Sequence, residues 1–242
     1  MVKSIFRNIY NGIRDGIMDG TYPFQTLLPT EAALCEQFGC SHSTVRRALL
    51  ELAQDGYVQP RQGRGVTVIW RPVPDEARGY ATGGIETFKE MCAERGLTPH
   101  TELLGFDRLI ADETLAEQTG LPLGSDIVRM ERLRYANGKP VAHEFTCQLA
   151  DEIPGLTPEI AISSTYAYIE QTLGLQILTS KRTITLEAVN ETLAKHLDVP
   201  VGTYVARVES HAFDSNGVMF EHILTRQHPD FFSARIIGTR PQ

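Results

Sequence analysis

The chain has little cysteine and no histidine spacing of the kind that builds a metal site. Four cysteines occur in 242 residues, Cys35, Cys40, Cys92 and Cys147, and no two form a C-x-x-C pair. That scatter excludes a disulfide framework and a zinc ribbon. It reads as reduced thiols of a cytoplasmic protein, serving as small core residues. The seven histidines show no H-x-x-x-H spacing, so neither a metal site nor a cofactor is expected. Apolar runs are too short for a membrane span, and no signal peptide is expected. No Ser-His-Asp set and no paired-carboxylate motif supports enzymatic chemistry.

Positive charge is also scarce, but unevenly so. Residues 1–70 hold seven Lys and Arg against six Asp and Glu, a net of +1. Residues 71–242 hold sixteen against twenty-four, a net of −8. Bulk charge cannot draw such a chain to a polyanion, so any nucleic-acid contact needs a local patch on the first segment. Between the segments, WRPVPDEARGYATGG (70–84) carries prolines and glycines without periodicity and reads as a linker. The expected organisation is a first domain over 1–70, a linker over 71–84 and a second domain over 85–242.

The first segment reads as three helices and a hairpin. Phe6, Ile9, Ile13 and Ile17 form the apolar stripe of helix one. PTEAALCEQFG (29–39) is helix two, with Thr30 as its cap and Glu31 in its first turn. SHSTVRRALLELAQDG (41–56) is helix three, with Ser41 able to cap it. Its Val45, Ala48, Leu49 and Leu52 share one face. Two helices joined by a short Gly-containing turn make a helix-turn-helix, whose second helix enters the major groove. Ser43, Thr44, Arg46 and Arg47 then sit where phosphates and base edges would lie, and Arg is the side chain most used to read guanine. YVQPRQGRGVTVIW (57–70) supplies two short strands around a basic, glycine-rich tip at Gly63 and Arg64.

The pattern L-P-x-E, then S-x-x-T-V-R-x-A-L, then G-x-G resembles the winged helix-turn-helix of the GntR family of bacterial transcription regulators. The resemblance covers residues 5–70. It implies double-stranded DNA as partner, with contacts from Ser43, Thr44, Arg46 and the wing around Gly63 and Arg64. His42 stands where family members often carry arginine, and Ala32 where some members do, which bears on the operator sequence.

The second segment is a duplication. DETLAEQTGLPLG (112–124) recurs as NETLAKHLDVPVG (190–202), with six of thirteen positions identical at an offset of 78. Each copy reads as a capped helix, a proline turn and a strand leading into an NG- or SNG-type hairpin. A helix in SSTYAYIEQTLG (163–174) and a long strand in LQILTSKRTITLEAV (175–189) lie between them. The fold class is α+β, built on an antiparallel sheet.

The duplication supplies an internal control. Arg129 and Glu131 recur as Arg207 and Glu209, so they can serve the sheet itself. Arg132 and Arg134 align instead with Ser210 and Ala212, so the sheet does not need arginine there. Two residues apart on a strand, they share a face and suit a phosphate or carboxylate. A solvent-facing basic edge is the plainer alternative.

Residues 80–240 resemble the UTRA effector domain of the HutC branch, a relative of the chorismate lyase fold. The resemblance implies an effector cleft lined by Thr87, Arg132, Arg134, Glu144, Ser164, Tyr166, Glu221 and Arg226. The arginines, Ser164 and Tyr166 would hold phosphate, and Glu144 and Glu221 would accept sugar hydroxyls. GGIETFKEM, YAYIEQTLGLQI and FEHILTRQHPDFF are similar to trehalose operon repressors, which implies trehalose 6-phosphate as effector. A homodimeric repressor follows; another small anion as effector, or a lyase-like enzyme, are the alternatives. The hairpin register raises one question: a two-residue Asn137-Gly138 turn would put His143 on the arginine face, whereas a bulge near Pro140 would bring Glu144 there.

Overall fold

The structure, a computed structural model, describes residues 2–71, 85–234 and 238. Apart from Arg71, the expected linker lies outside these residues. The chain divides into two compact units, Met1–Gly83 with Ala234–Gln242, and Gly84–Ser233. The α+β class holds, with helices in the first unit and a large antiparallel sheet in the second.

In the first unit, α1 (Val2–Met18), α2 (Glu31–Phe38) and α3 (His42–Gln54) precede a two-stranded wing, β1 (Val58–Arg61) and β2 (Gly65–Val68). Ile9, Ile13, Ile17, Leu34, Val45, Ala48, Leu49 and Leu52 form one buried cluster with Val58 and Val68 from the wing. The Thr30 hydroxyl accepts from the Ala33 amide and caps α2. Gly39 takes a left-handed conformation (φ 60°), which allows the chain to turn at once into α3. Ser41 occupies the cap position of α3 but does not cap it with its side chain. Its Oγ instead lies 2.9 Å from both Ser43 Oγ and Thr44 Oγ1.

The second unit is a six-stranded sheet in the order β3 (Pro99–Ile110), β4 (Asp126–Ala136), β5 (Lys139–Leu149), β8 (Met219–Gln227), β7 (Tyr204–Asp214), β6 (Ile177–Ala188), every neighbouring pair antiparallel. The duplication maps onto it as strand, helix and hairpin, twice. The first copy is β3 (Pro99–Ile110), α5 (Glu113–Thr119), β4 (Asp126–Ala136) and β5 (Lys139–Leu149). The second is β6 (Ile177–Ala188), α8 (Glu191–Leu197), β7 (Tyr204–Asp214) and β8 (Met219–Gln227). Corresponding residues do the same work: Asp112 and Asn190 cap the helices, and Gly120 and Asp198 end them in left-handed conformations. The copies meet where β5 pairs with β8.

The remaining helices are α4 (Phe88–Glu94), α6 (Pro158–Ser163) and α7 (Thr165–Ala167), which runs on into a π turn over Tyr168–Thr172. The single helix expected over 163–174 is therefore broken. Ser164 is extended (φ −157°, ψ 108°) and its hydroxyl accepts from the Ala167 amide, restarting the helix in a new direction. Among the described residues no helix is long and apolar enough to cross a membrane.

Candidate functional sites

The reading surface of the first unit is the N-terminal half of α3. Val45, Ala48, Leu49 and Leu52 bury one side of the helix, which leaves Ser43, Arg46 and Arg47 exposed and Thr44 half-buried. Arg46 donates through Nε to Glu31 Oε2 at 2.8 Å, yet 68% of its side chain remains exposed. Glu31 thus steadies the arginine from α2, and the planar end of the guanidinium remains available for a bidentate contact. Arg47 has a second occupation: its guanidinium lies 4.8 Å from the Phe6 ring centroid, a cation–π contact that ties α3 to α1. At the wing tip Gly63 and Gly65 adopt φ of 69° and 88°, conformations that strain any residue with a Cβ. The turn presents Arg64 to solvent, and Arg61 lies beside it, a basic neighbour that the sequence reading did not single out.

In the second unit the register assigns every side chain of the sheet to one of two faces. Arg132 pairs with Glu144, Thr146 with Ile223, and Gln148 with Glu221. By the two-residue period, one face therefore carries Arg132 and Arg134 from β4, Glu144, Thr146 and Gln148 from β5, and Glu221 and Thr225 from β8. The bulge expected near Pro140 is present. Tyr135 pairs with Pro140 and Arg134 with Ala142, leaving Val141 as the extra residue. It moves Glu144, not His143, onto the arginine face.

These side chains form a buried polar cluster. Arg132 is 1% exposed and Glu221 0%. Arg132 is ion-paired through Nη2 with Glu144 Oε1, donates to Thr146 Oγ1 (2.7 Å), and donates through Nη1 to the Ala161 carbonyl of α6 (3.2 Å). Arg134 donates to the same Glu144 oxygen (3.1 Å) and to Thr101 Oγ1 of β3 (2.9 Å), beneath the Phe88 ring. Glu221 accepts from the Tyr166 hydroxyl (2.6 Å) and from Gln148 Nε2 (2.5 Å). Nε of both arginines and Oε1 of Gln148 are buried with no hydrogen-bond partner among the described residues. Unsatisfied buried polar atoms are costly and uncommon in native proteins.

The two carboxylates differ in electrostatic state. Burial pushes Glu144 up, but the adjacent Arg132 and Arg134 outweigh it and hold its pKa at about 2. Burial dominates at Glu221 and raises it to about 7, despite the bonds from Tyr166 and Gln148 and the charge of Arg132. Two guanidiniums thus face one firmly ionised carboxylate and one that is partly protonated near neutrality. The cluster carries positive charge beyond what Glu144 neutralises, in a place where charge is expensive to bury.

The structure brings together Arg132, Arg134, Glu144, Tyr166 and Glu221, but not all the residues inferred from the sequence. Arg226 is a correction. It pairs in register with His143 and Arg207, on the other face of the sheet, and its Nε donates to both Glu187 oxygens at 3.0 Å. Thr87 and Ser164 are engaged as helix caps: Thr87 opens α4 in a reciprocal capping box with Glu90, and Ser164 opens α7. Glu144 is no free acceptor, being shared by two arginines. Thr146 and Gln148 were missed, although polar residues at 144, 146 and 148 alternating with Phe145, Cys147 and Leu149 were a readable signal of a polar face.

A basic reading helix with a wing, and a duplicated sheet with a buried arginine pair, are matched by known proteins. The profile of bacterial regulatory proteins of the gntR family matches residues 6–68, and that of the UTRA domain matches residues 94–233. The chain belongs to the GntR family, UTRA type. It is a transcriptional regulator. Relatives include the HTH-type transcriptional regulator TreR of Bacillus subtilis, 30% identical over 94% of each chain. The Mannosyl-D-glycerate transport/metabolism system repressor MngR of Escherichia coli is 28% identical over 98% of this chain and 97% of its own. Among solved structures, the possible transcriptional regulator YydK of Bacillus subtilis has a TM-score of 0.80 at 22% identity, covering 97% of this chain and 99% of that one, and shows the shared fold. PhnF from Mycobacterium smegmatis has a TM-score of 0.59 at 26% identity, covering 95% of this chain and 97% of that one.

Proposed function

We propose that this GntR-family regulator is a homodimeric repressor released from its operator by a small phosphorylated sugar bound at the Arg132–Arg134 face. The carrying observation is the buried arginine pair: it exceeds the charge of Glu144, and both Nε atoms lack a partner among the described residues. A phosphate oxygen matches guanidinium geometry and charge, and would satisfy donors that the protein leaves unpaired. Tyr166, Gln148 and Glu221 lie on the same face, offering hydroxyl, amide and carboxyl groups to sugar hydroxyls. Trehalose 6-phosphate is the first effector to try, from the resemblance of segments 83–91, 166–177 and 220–232 to trehalose operon repressors. The relatives are regulators, so the lyase-like enzyme is the less favoured reading; turnover of a bound sugar phosphate would establish it.

A second reading keeps the site and changes the anion. The similarity to a mannosylglycerate system repressor over nearly the whole chain favours a carboxylate-bearing glycoside, which the same arginine pair would suit. Calorimetry separates the two. Trehalose 6-phosphate should bind far more tightly than trehalose and lower operator affinity by about 5- to 150-fold, a coupling of roughly 1–3 kcal/mol. Tight binding of the carboxylated glycoside alone would select the second reading, and equal affinity for trehalose and its phosphate would rule out the first.

A further inference from the structure

The sheet face opposite the arginine pair carries a different chemistry. Glu131 of β4, His143 of β5 and His196 of α8 each offer a ligand atom within 4.8 Å of the others. His143 Nε2 lies 2.9 Å from Glu131 Oε1, and the two imidazole centroids are 5.0 Å apart with planes inclined by 30°. Two imidazoles on one tetrahedral zinc, each at about 2.0–2.1 Å, bring their rings to about that separation.

Two observations single this cluster out. The His143 side chain is 5% exposed, and the Nδ1 atoms of both His143 and His196 are buried without a hydrogen-bond partner among the described residues. The duplication then acts as a control. Glu209 and His222 repeat the Glu131–His143 pair at 3.0 Å, so the sheet uses that dyad in both halves. The third residue is not inherited. His196 aligns with Gln118 of α5, and the other cluster takes His211, which aligns with Leu133. The dyad alone therefore reads as part of the fold, while the second imidazole is an addition, and of the two clusters the first is the one whose imidazoles both have a buried Nδ1 without a partner among the described residues.

We propose that Glu131, His143 and His196 bind one divalent transition-metal ion of the zinc class. The two neutral imidazoles select such ions over magnesium and calcium, which take oxygen ligands, and zinc accepts a carboxylate oxygen as well. The contact between His143 Nε2 and Glu131 Oε1 already sets two donor atoms side by side, and an ion held by both takes the place of the proton they share. Arg226 is the nearby cation, and its charge is taken up by Glu187. His143 adjoins Glu144 in β5, so the ion would lie against the strand that positions the arginine pair, on the sheet's other face.

The test is zinc and cobalt titration of the full-length protein after chelator treatment and dialysis. The cobalt adduct should lack sulfur-to-metal charge-transfer bands, which separates this site from the four thiols. His196→Gln should weaken zinc binding more than about 100-fold, above the loss typical of outer-shell partners. His211→Gln should leave binding at this site unchanged, and magnesium should not compete. His196 is only partly buried, on a short helix packed against β5, so its variant tests the site even if His143→Ala does not fold. Unchanged zinc affinity in His196→Gln, or binding abolished by thiol alkylation, overturns the proposal.

Discussion

Glu144 stands opposite Arg132 across the β4–β5 ladder because Val141 is one residue too many in β5. Without that bulge the hairpin would aim His143 at the arginine pair, and the ionised carboxylate would be on the other face. One inserted residue thus decides which chemistry each face of the sheet receives.

Removing Arg132 leaves Glu144 buried beside only one arginine. Arg132→Ala should destabilise the effector domain by about 3–5 kcal/mol, the usual cost of breaking a buried pair. Arg132→Met combined with Glu144→Leu should recover most of that loss. Both variants should retain operator binding in effector-free protein and lose the response to sugar phosphate. Denaturant titration with gel-shift assays would check this, and full induction of either variant would contradict the site.

Glu221 predicts a pH dependence of definite sign. Its folded-state pKa, about 7, lies above its ordinary value of 4.5. Its contribution to stability is thus fully present below pH 4.5 and is lost as pH rises through 7. Glu144 runs the other way, with stability present above 4.5 and lost as pH falls towards 2. Buried His143 and His222, with lowered pKa values, also weaken the fold on acidification. The difference between the parent and Glu221→Gln isolates Glu221: their stability difference should change between pH 4.5 and 7. Parallel stability curves across that window would refute the assignment.

At the DNA surface, Arg46→Ala should weaken specific operator binding by about 1–3 kcal/mol and relax base preference at one position. Arg64→Ala should weaken binding to all sequences and reduce the salt slope by about one. Arg47, packed on Phe6, should show part of its effect as lost stability of the first unit. Salt-dependent fluorescence anisotropy on operator and scrambled DNA distinguishes the three.

A single winged module binds modestly, and dimers bind paired half-sites. Light scattering should therefore give twice the 26.9 kDa chain mass at micromolar concentration, with and without effector. The preferred operator should be a palindrome. A monomer mass in both states would exclude this mode of binding.

Features carried by neighbouring residues were legible in the sequence alone. The apolar stripe of α3, the cap Thr30, the Gly39 turn, the glycines of the wing and the duplication at offset 78 are all local patterns. So is the shared face of Arg132 and Arg134, which follows from the two-residue period of one strand. Ser41 marks a limit, because its hydroxyl chose side-chain partners over the backbone amide that its position suggested.

What meets across strands was decided by tertiary structure. Gln148 and Tyr166 reach Glu221 over separations of 73 and 55 residues, and His196 comes to His143 from a helix. The family resemblance placed Arg226 with the effector residues, but register turned it to the opposite face, where Glu187 holds it. A strand's own residues determine which of them share a face. Which face meets which partner depends on hairpin bulges and on the pairing of β5 with β8, and those are settled only when distant segments of the chain close on one another.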